Sequence, residues 1–177
     1  MTAAGGARRL VDATAERLSA AKRALYRDGR PGTLMRWWNR MDAVLYSAGL
    51  LARDHTAVLV VPGRRTGRLT SVPVAIADVG RDEYLVSMLG PEANWVRNVD
   101  AAGGVAVLHR RGREFDVLLE PVPVDERAPI LRRYLTVAPG ARPHLGLKPS
   151  APLSAFEHIA ADHPVFRIRD RGAHDSA

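Results

Sequence analysis

Cysteine is absent from this chain of 177 residues, which removes disulfides, thiolate nucleophiles, Cys-ligated zinc and iron–sulfur clusters from consideration. Long apolar runs are missing too. No stretch approaches the ~18 residues of a membrane span, and the N-terminus lacks the apolar core of a signal peptide. A cytoplasmic protein is therefore expected. The six histidines are dispersed, and without HExxH or paired-carboxylate spacing no metal is expected. Neither Ser71 nor Ser87 lies in a GxSxG elbow, which argues against a serine nucleophile. No internal repeat is present.

What remains is basic. A net charge of +7 and a sequence pI near 10.7 imply affinity for anions: nucleic acid, an acidic lipid surface, or a small phosphorylated or carboxylated ligand. The length suits one domain with a buried core.

The densest feature is the stretch from Val58 to Pro73. A valine-rich run reads as a buried strand, Gly63-Arg64-Arg65-Thr66-Gly67-Arg68 follows as a tight basic segment, and Val72, Val74 and Ile76 open a second strand. A Walker motif needs four residues between its glycines and a helix afterwards; here three stand between Gly63 and Gly67 and a strand follows, and GxGxxG is absent as well. Two readings stay open at this level. One is a solvated basic turn; the other is a nest of backbone N–H groups with arginines able to pair bidentately with phosphate or carboxylate.

The remaining chain reads as α+β. An amphipathic helix with Val11, Leu18 and Leu25 on one face precedes a break at Asp28 to Gly32. Thr33 to Ala48 form a Trp-containing basic helix that either caps the sheet or rests peripherally on an anionic membrane. Strands are expected at Thr56 to Val61, Val72 to Ala77, Tyr84 to Leu89, Val105 to Arg110, Arg113 to Val122 and Val165 to Ile168, in a mostly antiparallel meander. Pro73 cannot donate to a ladder and belongs at an edge or bulge. Asn94 is expected to cap a helix closed by Gly103-Gly104, and Asp125 to cap one holding Ile130, Leu131, Tyr134 and Leu135. Residues 138–152 read as a long loop, followed by a short helix from Leu153 to Ala161.

Ser87-Met88-Leu89-Gly90 sits at a strand end, where free N–H and C=O groups and the Ser87 hydroxyl are suited to a planar ring edge, or it is an ordinary terminus. Helical spacing brings Asn94 and Asn98 to one side, with Trp95 beside them.

In this order of parts the chain resembles the deazaflavin-dependent nitroreductases, a branch of the split β-barrel flavin and deazaflavin oxidoreductases. The resemblance covers about Thr33 to Asp170. It rests on the Trp-rich segment Leu34 to Met41, the strand and turn from Val58 to Gly67, the Val72-Pro73 step and Asn94-Trp95-Val96-Arg97-Asn98. It implies a mostly antiparallel split β-barrel over residues 33–170, after a flexible end and helix at 1–32 and before a polar tail at 171–177.

The resemblance further implies coenzyme F-420, a deazaflavin with an anionic phosphodiester and oligoglutamate tail. Arg64, Arg65 and Thr66 would hold the phosphate, with Gly67 and Arg68 completing the turn and Ser71, Val72 and Pro73 lying along the cofactor. Ser87, Met88, Leu89 and Gly90 would border the ring, supported by Asn94, Trp95 and Asn98. Relatives carry a basic residue where this chain has Thr70, and the tyrosines of their nitroimidazole pocket have no counterpart in residues 138–152. The expected reaction passes a hydride to a small electron-poor acceptor such as a quinone, enone or nitro compound. Solvent, His109 or Tyr134 would supply the proton, and no catalytic residue is singled out. FMN in the same fold and a non-enzymatic anion binder are the alternatives. The arginines are not interleaved with aromatics, so nucleic acid is not expected. Either a monomer or a homodimer is compatible.

Overall fold

The computed structural model describes residues 12–14, 16 and 55–171. Residues 12–14 and 16, in the first expected helix, are helical; the rest of the span from 11 to 48, with its membrane reading, lies outside the described residues. Six strands close a barrel: β1 (Thr56–Pro62), β2 (Leu69–Val79), β3 (Asp82–Val86), β4 (Val105–Arg110), β5 (Arg113–Pro121) and β6 (Val165–Asp170), in the order β1-β2-β3-β6-β5-β4. Every pairing is antiparallel. The expected strands are all present, and closure removes the exposed edges that an open meander would leave.

The valine-rich run of β1 is explained by burial on both faces. Ala57, Leu59 and Val61 point into the barrel with Ile76, Leu85, Leu108, Val117 and Leu119, whereas Val58 and Val60 pack outside with Val105 and Val107. Such two-sided burial hides the polar alternation of an ordinary antiparallel strand. Pro73 pairs with Val58, but β3 joins β2 only from Ile76 to Val79. It therefore sits in the half of β2 that has a neighbour on one side, where its missing N–H costs no ladder bond.

Helix α1 (Asn94–Ala101) caps the barrel interior, inserting Val96 and Val99 into the inner cluster. Its end is set by Gly103 and Gly104, at φ 63° and 82°, with the Gly104 N–H donating to the Val99 carbonyl at 2.9 Å, a left-handed stop suited to glycine. Helix α2 (Arg127–Val137) covers the outer face of β2 and β3. It buries Ile130, Leu131, Tyr134 and Leu135 against Ala75, Ala77, Tyr84 and Val86. Helices α3 (Arg142–Leu145) and α4 (Leu153–Ile159) complete this layer, and Phe156 of α4 is fully buried in it.

Three local expectations are corrected. Asn94 is the first residue of α1 rather than its cap; Ala93 takes the cap position without a side-chain bond, because the Asn94 oxygen is engaged by Arg64. Asp125 makes no cap either, since a 3-10 turn over Val124–Glu126 intervenes and α2 begins after Glu126. Residues 138–152 are not a structureless loop. They hold a 3-10 turn at Pro139–Ala141 and then α3, anchored by buried Ala141 and Leu145.

Candidate functional site

The β1–β2 connection, residues 63–68, is a closed turn. Gly63 N–H donates to Arg68 O and Gly67 N–H to Gly63 O, both at 2.8 Å, and Arg68 N–H donates to Thr66 Oγ1 at 3.3 Å. Gly67 adopts φ 68°, the left-handed conformation that glycine enters at little cost.

This turn is tied to α1. Asn98 Oδ1 accepts from the Arg64 backbone N–H at 3.2 Å and from Arg64 Nη1 at 3.1 Å, and Asn94 Oδ1 accepts from the same nitrogen at 3.3 Å. Asn98 Nδ2 donates to Thr70 Oγ1 at 3.3 Å, while the Thr70 hydroxyl donates to Val61 O at 2.9 Å. Asn98 is buried, so each of these bonds replaces one that water can no longer make. The predicted pair Asn94 and Asn98 does share one side of the helix, and that side meets the basic turn.

With Arg64 so engaged, its neighbours are left open. Arg65, Thr66 and Arg68 are exposed. Among the described residues, the guanidinium groups of Arg65 and Arg68 and the backbone N–H groups of Arg65 and Thr66 have no partner. Two cations and adjacent free N–H groups on a braced turn form a donor set that fits an anionic oxygen cluster such as phosphate.

The second predicted segment lies at the opposite end of the link into α1. Ser87 is 1% exposed and, contrary to the expectation of free polar groups, it uses all of them internally. Its N–H donates to Pro164 O at 2.9 Å and its hydroxyl to Gly90 O at 2.7 Å. Its carbonyl accepts from Gly90 N–H at 3.3 Å and from His163 Nδ1 at 3.1 Å. Burial and a tight turn explain the difference, since a strand end inside the molecule must satisfy its own groups. Met88 and Leu89 at the turn's centre remain. The Met88 side chain packs toward the helix-covered layer, and Leu89 is 62% exposed.

The other predicted residues separate. Val72 belongs to the inner cluster, while Ser71 and Pro73 stand opposite Val60 and Val58 on the outer face. Trp95 closes the barrel mouth against Phe166, with ring centroids 5.6 Å apart and planes at 60°, a tilted packing contact rather than an open stacking platform. His109 stands opposite Val58, 3.6 Å from Glu114. Tyr134 is enclosed between α2 and the sheet, where burial pushes its phenol up to about 12. An open cavity of about 600 Å³, lined by Arg142, Leu147, Lys148 and Ser150 among others, includes none of the predicted site residues.

Two participants escaped the sequence reading. Thr70 stood out only as a departure from the relatives, although its hydroxyl links α1 to β1. His163 gave no signal, because its partner lies 76 residues away. No metal-binding group of three or more His, Asp or Glu occurs among the described residues, and no described helix is long and apolar enough to cross a membrane.

A family model described as F420H(2)-dependent quinone reductase matches residues 33–143. No curated protein matches the chain. Among solved structures, the protein Atu2129 of unknown function from Agrobacterium tumefaciens is similar at a TM-score of 0.50 and 15% identity, over 73% of this chain and 55% of that one. The likeness therefore spans only about half of Atu2129, and it shows the fold alone. A structure titled F420-H2 dependent reductase (FDR-A) aligns at a TM-score of 0.48 and 15% identity, over 67% of this chain and 97% of that one.

Proposed function

The chain belongs to the F420H(2)-dependent quinone reductase family, and from that premise we propose that it passes a hydride from reduced coenzyme F-420 to a quinone. The anionic end of the coenzyme sits on the β1–β2 turn. Support for this placement comes above all from one observation: Asn98 and Asn94 hold Arg64 while leaving the Arg65 and Arg68 guanidinium groups exposed and unpartnered among the described residues.

When bound, the coenzyme supplies the hydride, which with one proton reduces a quinone to its hydroquinone. The protein's share is orientation and electrostatics. Arg65, Arg68 and the N–H groups of Arg65 and Thr66 bind the phosphate; Arg64, Asn98 and Thr70 brace the turn; Met88 and Leu89 border the ring. The exposed Leu89 side chain gives that edge an apolar surface for an uncharged aromatic acceptor. Enones and nitro compounds accept a hydride by the same geometry, but the family's description favours the quinone. The proton is assigned to solvent, because Tyr134 is enclosed in the core and His109 stands on β4 opposite Val58 with Glu114 beside it.

Titrating the purified protein with coenzyme F-420 and separately with FMN, following fluorescence, tests the cofactor assignment. Saturable binding of F-420 at micromolar concentration with weaker FMN binding is expected. The reverse order contradicts it.

A further inference from the structure

We propose that His163 is a positioning residue for hydride transfer, holding the Ser87–Gly90 turn in the form that meets the cofactor ring. The inference rests on the proposed reading that this turn borders the ring. It adds a residue from the other end of the chain, on the link between α4 and β6.

The support given by this link is continuous over three residues. Pro164 O accepts the Ser87 N–H at 2.9 Å. His163 Nδ1 lies 3.1 Å from Ser87 O, and since a carbonyl only accepts, Nδ1 carries the proton. Asp162 O stands 3.3 Å from where a Cβ on Gly90 would be, so the link runs close enough to the turn that a side chain at this position would crowd it. His163 is 8% exposed, which shields its bond from competing water.

Ser87 O accepts from Gly90 N–H and His163 together. The Gly90 bond at 3.3 Å is long for an N–H···O bond and belongs to the turn itself. The histidine bond is the shorter one, and it ties the turn to β6. Removing it frees the peptide between Ser87 and Met88 to rotate, which re-aims the Met88 N–H and tilts Leu89. The bond itself lies between the turn and the link before β6 rather than within a strand ladder, so the β3–β6 pairing from Tyr84 to Val86 does not depend on it.

The test uses His163→Leu, which removes the donor, and His163→Asn, whose side-chain N–H falls near the position of Nδ1. Should the leucine variant fail to fold, His163→Gln takes its place, because its amide reaches the Nε2 position instead. Amide hydrogen exchange is measured first on the cofactor-free protein. Exchange at Ser87 and Gly90, whose N–H groups donate to Pro164 O and Ser87 O, is expected to rise about three- to tenfold in His163→Leu, the span that one net hydrogen bond supplies, and to return close to wild type in His163→Asn. Steady-state kinetics with coenzyme F-420 and a benzoquinone are then expected to show kcat/KM for the coenzyme falling in the leucine variant and recovering in the asparagine variant.

Unchanged exchange in the leucine variant, or an asparagine variant no better than it, overturns the positioning role and leaves the cofactor assignment standing. Raised exchange with unchanged kinetics overturns instead the reading that this turn meets the ring, and the functional half of the proposal with it.

Discussion

Asn98 Oδ1 receives two hydrogen bonds from a single residue, the backbone N–H and the guanidinium Nη1 of Arg64, at 3.2 and 3.1 Å. One buried amide thereby fixes both the backbone and the side chain of the basic turn, and its own Nδ2 reaches Thr70 on the following strand. Asn98→Ala is expected to lower stability by ~1–3 kcal/mol, the cost of leaving buried polar groups unsatisfied, and to weaken F-420 binding through loss of turn shape. Urea unfolding alongside cofactor titration measures both.

Arg65 and Arg68 carry no such structural duty. Their double replacement by alanine is expected to change stability by less than about half a kcal/mol, as for most exposed positions. Cofactor affinity should fall by about a hundredfold or more, since charge-assisted bonds contribute ~1.5–3 kcal/mol each and both guanidinium groups are lost. Arg64→Ala differs in kind, and should lower both stability and affinity because it belongs to the Asn98 network.

Two glycines separate conformational strain from collision. Gly112, at φ 72° with open space around it, should lose about 1–2 kcal/mol on replacement by alanine, the cost of a left-handed residue with a Cβ. Gly104, at φ 82°, would place that Cβ 2.5 Å from Leu119 O, against a backbone that donates Leu119 N–H to Gly104 O at 2.8 Å. Gly104→Ala should cost about 4 kcal/mol or more, within the range reserved for named steric faults. Thermal unfolding of the two variants checks the ordering.

Tyr134 sets an alkaline limit. Burial pushes its phenol up to about 12, whereas an unfolded tyrosine ionises near pH 10. The folded state therefore holds its proton longer. The associated stability is fully present below about pH 10 and is lost as pH rises from there towards 12. Tyr134→Phe should flatten that limb of the stability profile while leaving kcat unchanged, because the proton for the quinone is assigned to solvent. A large fall in kcat would instead mark Tyr134 as the donor.

The strands were legible because β-branched runs such as Val58 to Val61 and Val105 to Val107 alternate with Gly-rich turns, and because burial in a barrel leaves little freedom of register. The basic turn and the Asn94/Asn98 pair were legible for the same local reason: spacing alone places them on a turn and on one helical side. What sequence could not show was how long-range partners use up polar groups. Ser87 looked free until Pro164 and His163 filled its N–H and carbonyl, and Asn94 looked like a cap until Arg64 claimed its oxygen. The short helix α3 was hidden by a composition of Pro, Gly and Ala that locally favours a loop, while Leu145 and Ala141 anchor it through the core.

The most direct test of the central claim is a crystal structure of the protein with coenzyme F-420 bound. The account predicts the phosphodiester within hydrogen-bond distance of the Arg65 and Arg68 guanidinium groups and the Arg65 and Thr66 N–H groups, with the deazaflavin ring against Met88 and Leu89. A phosphate bound elsewhere, or a ring on the far side of the barrel from Ser87–Gly90, contradicts it.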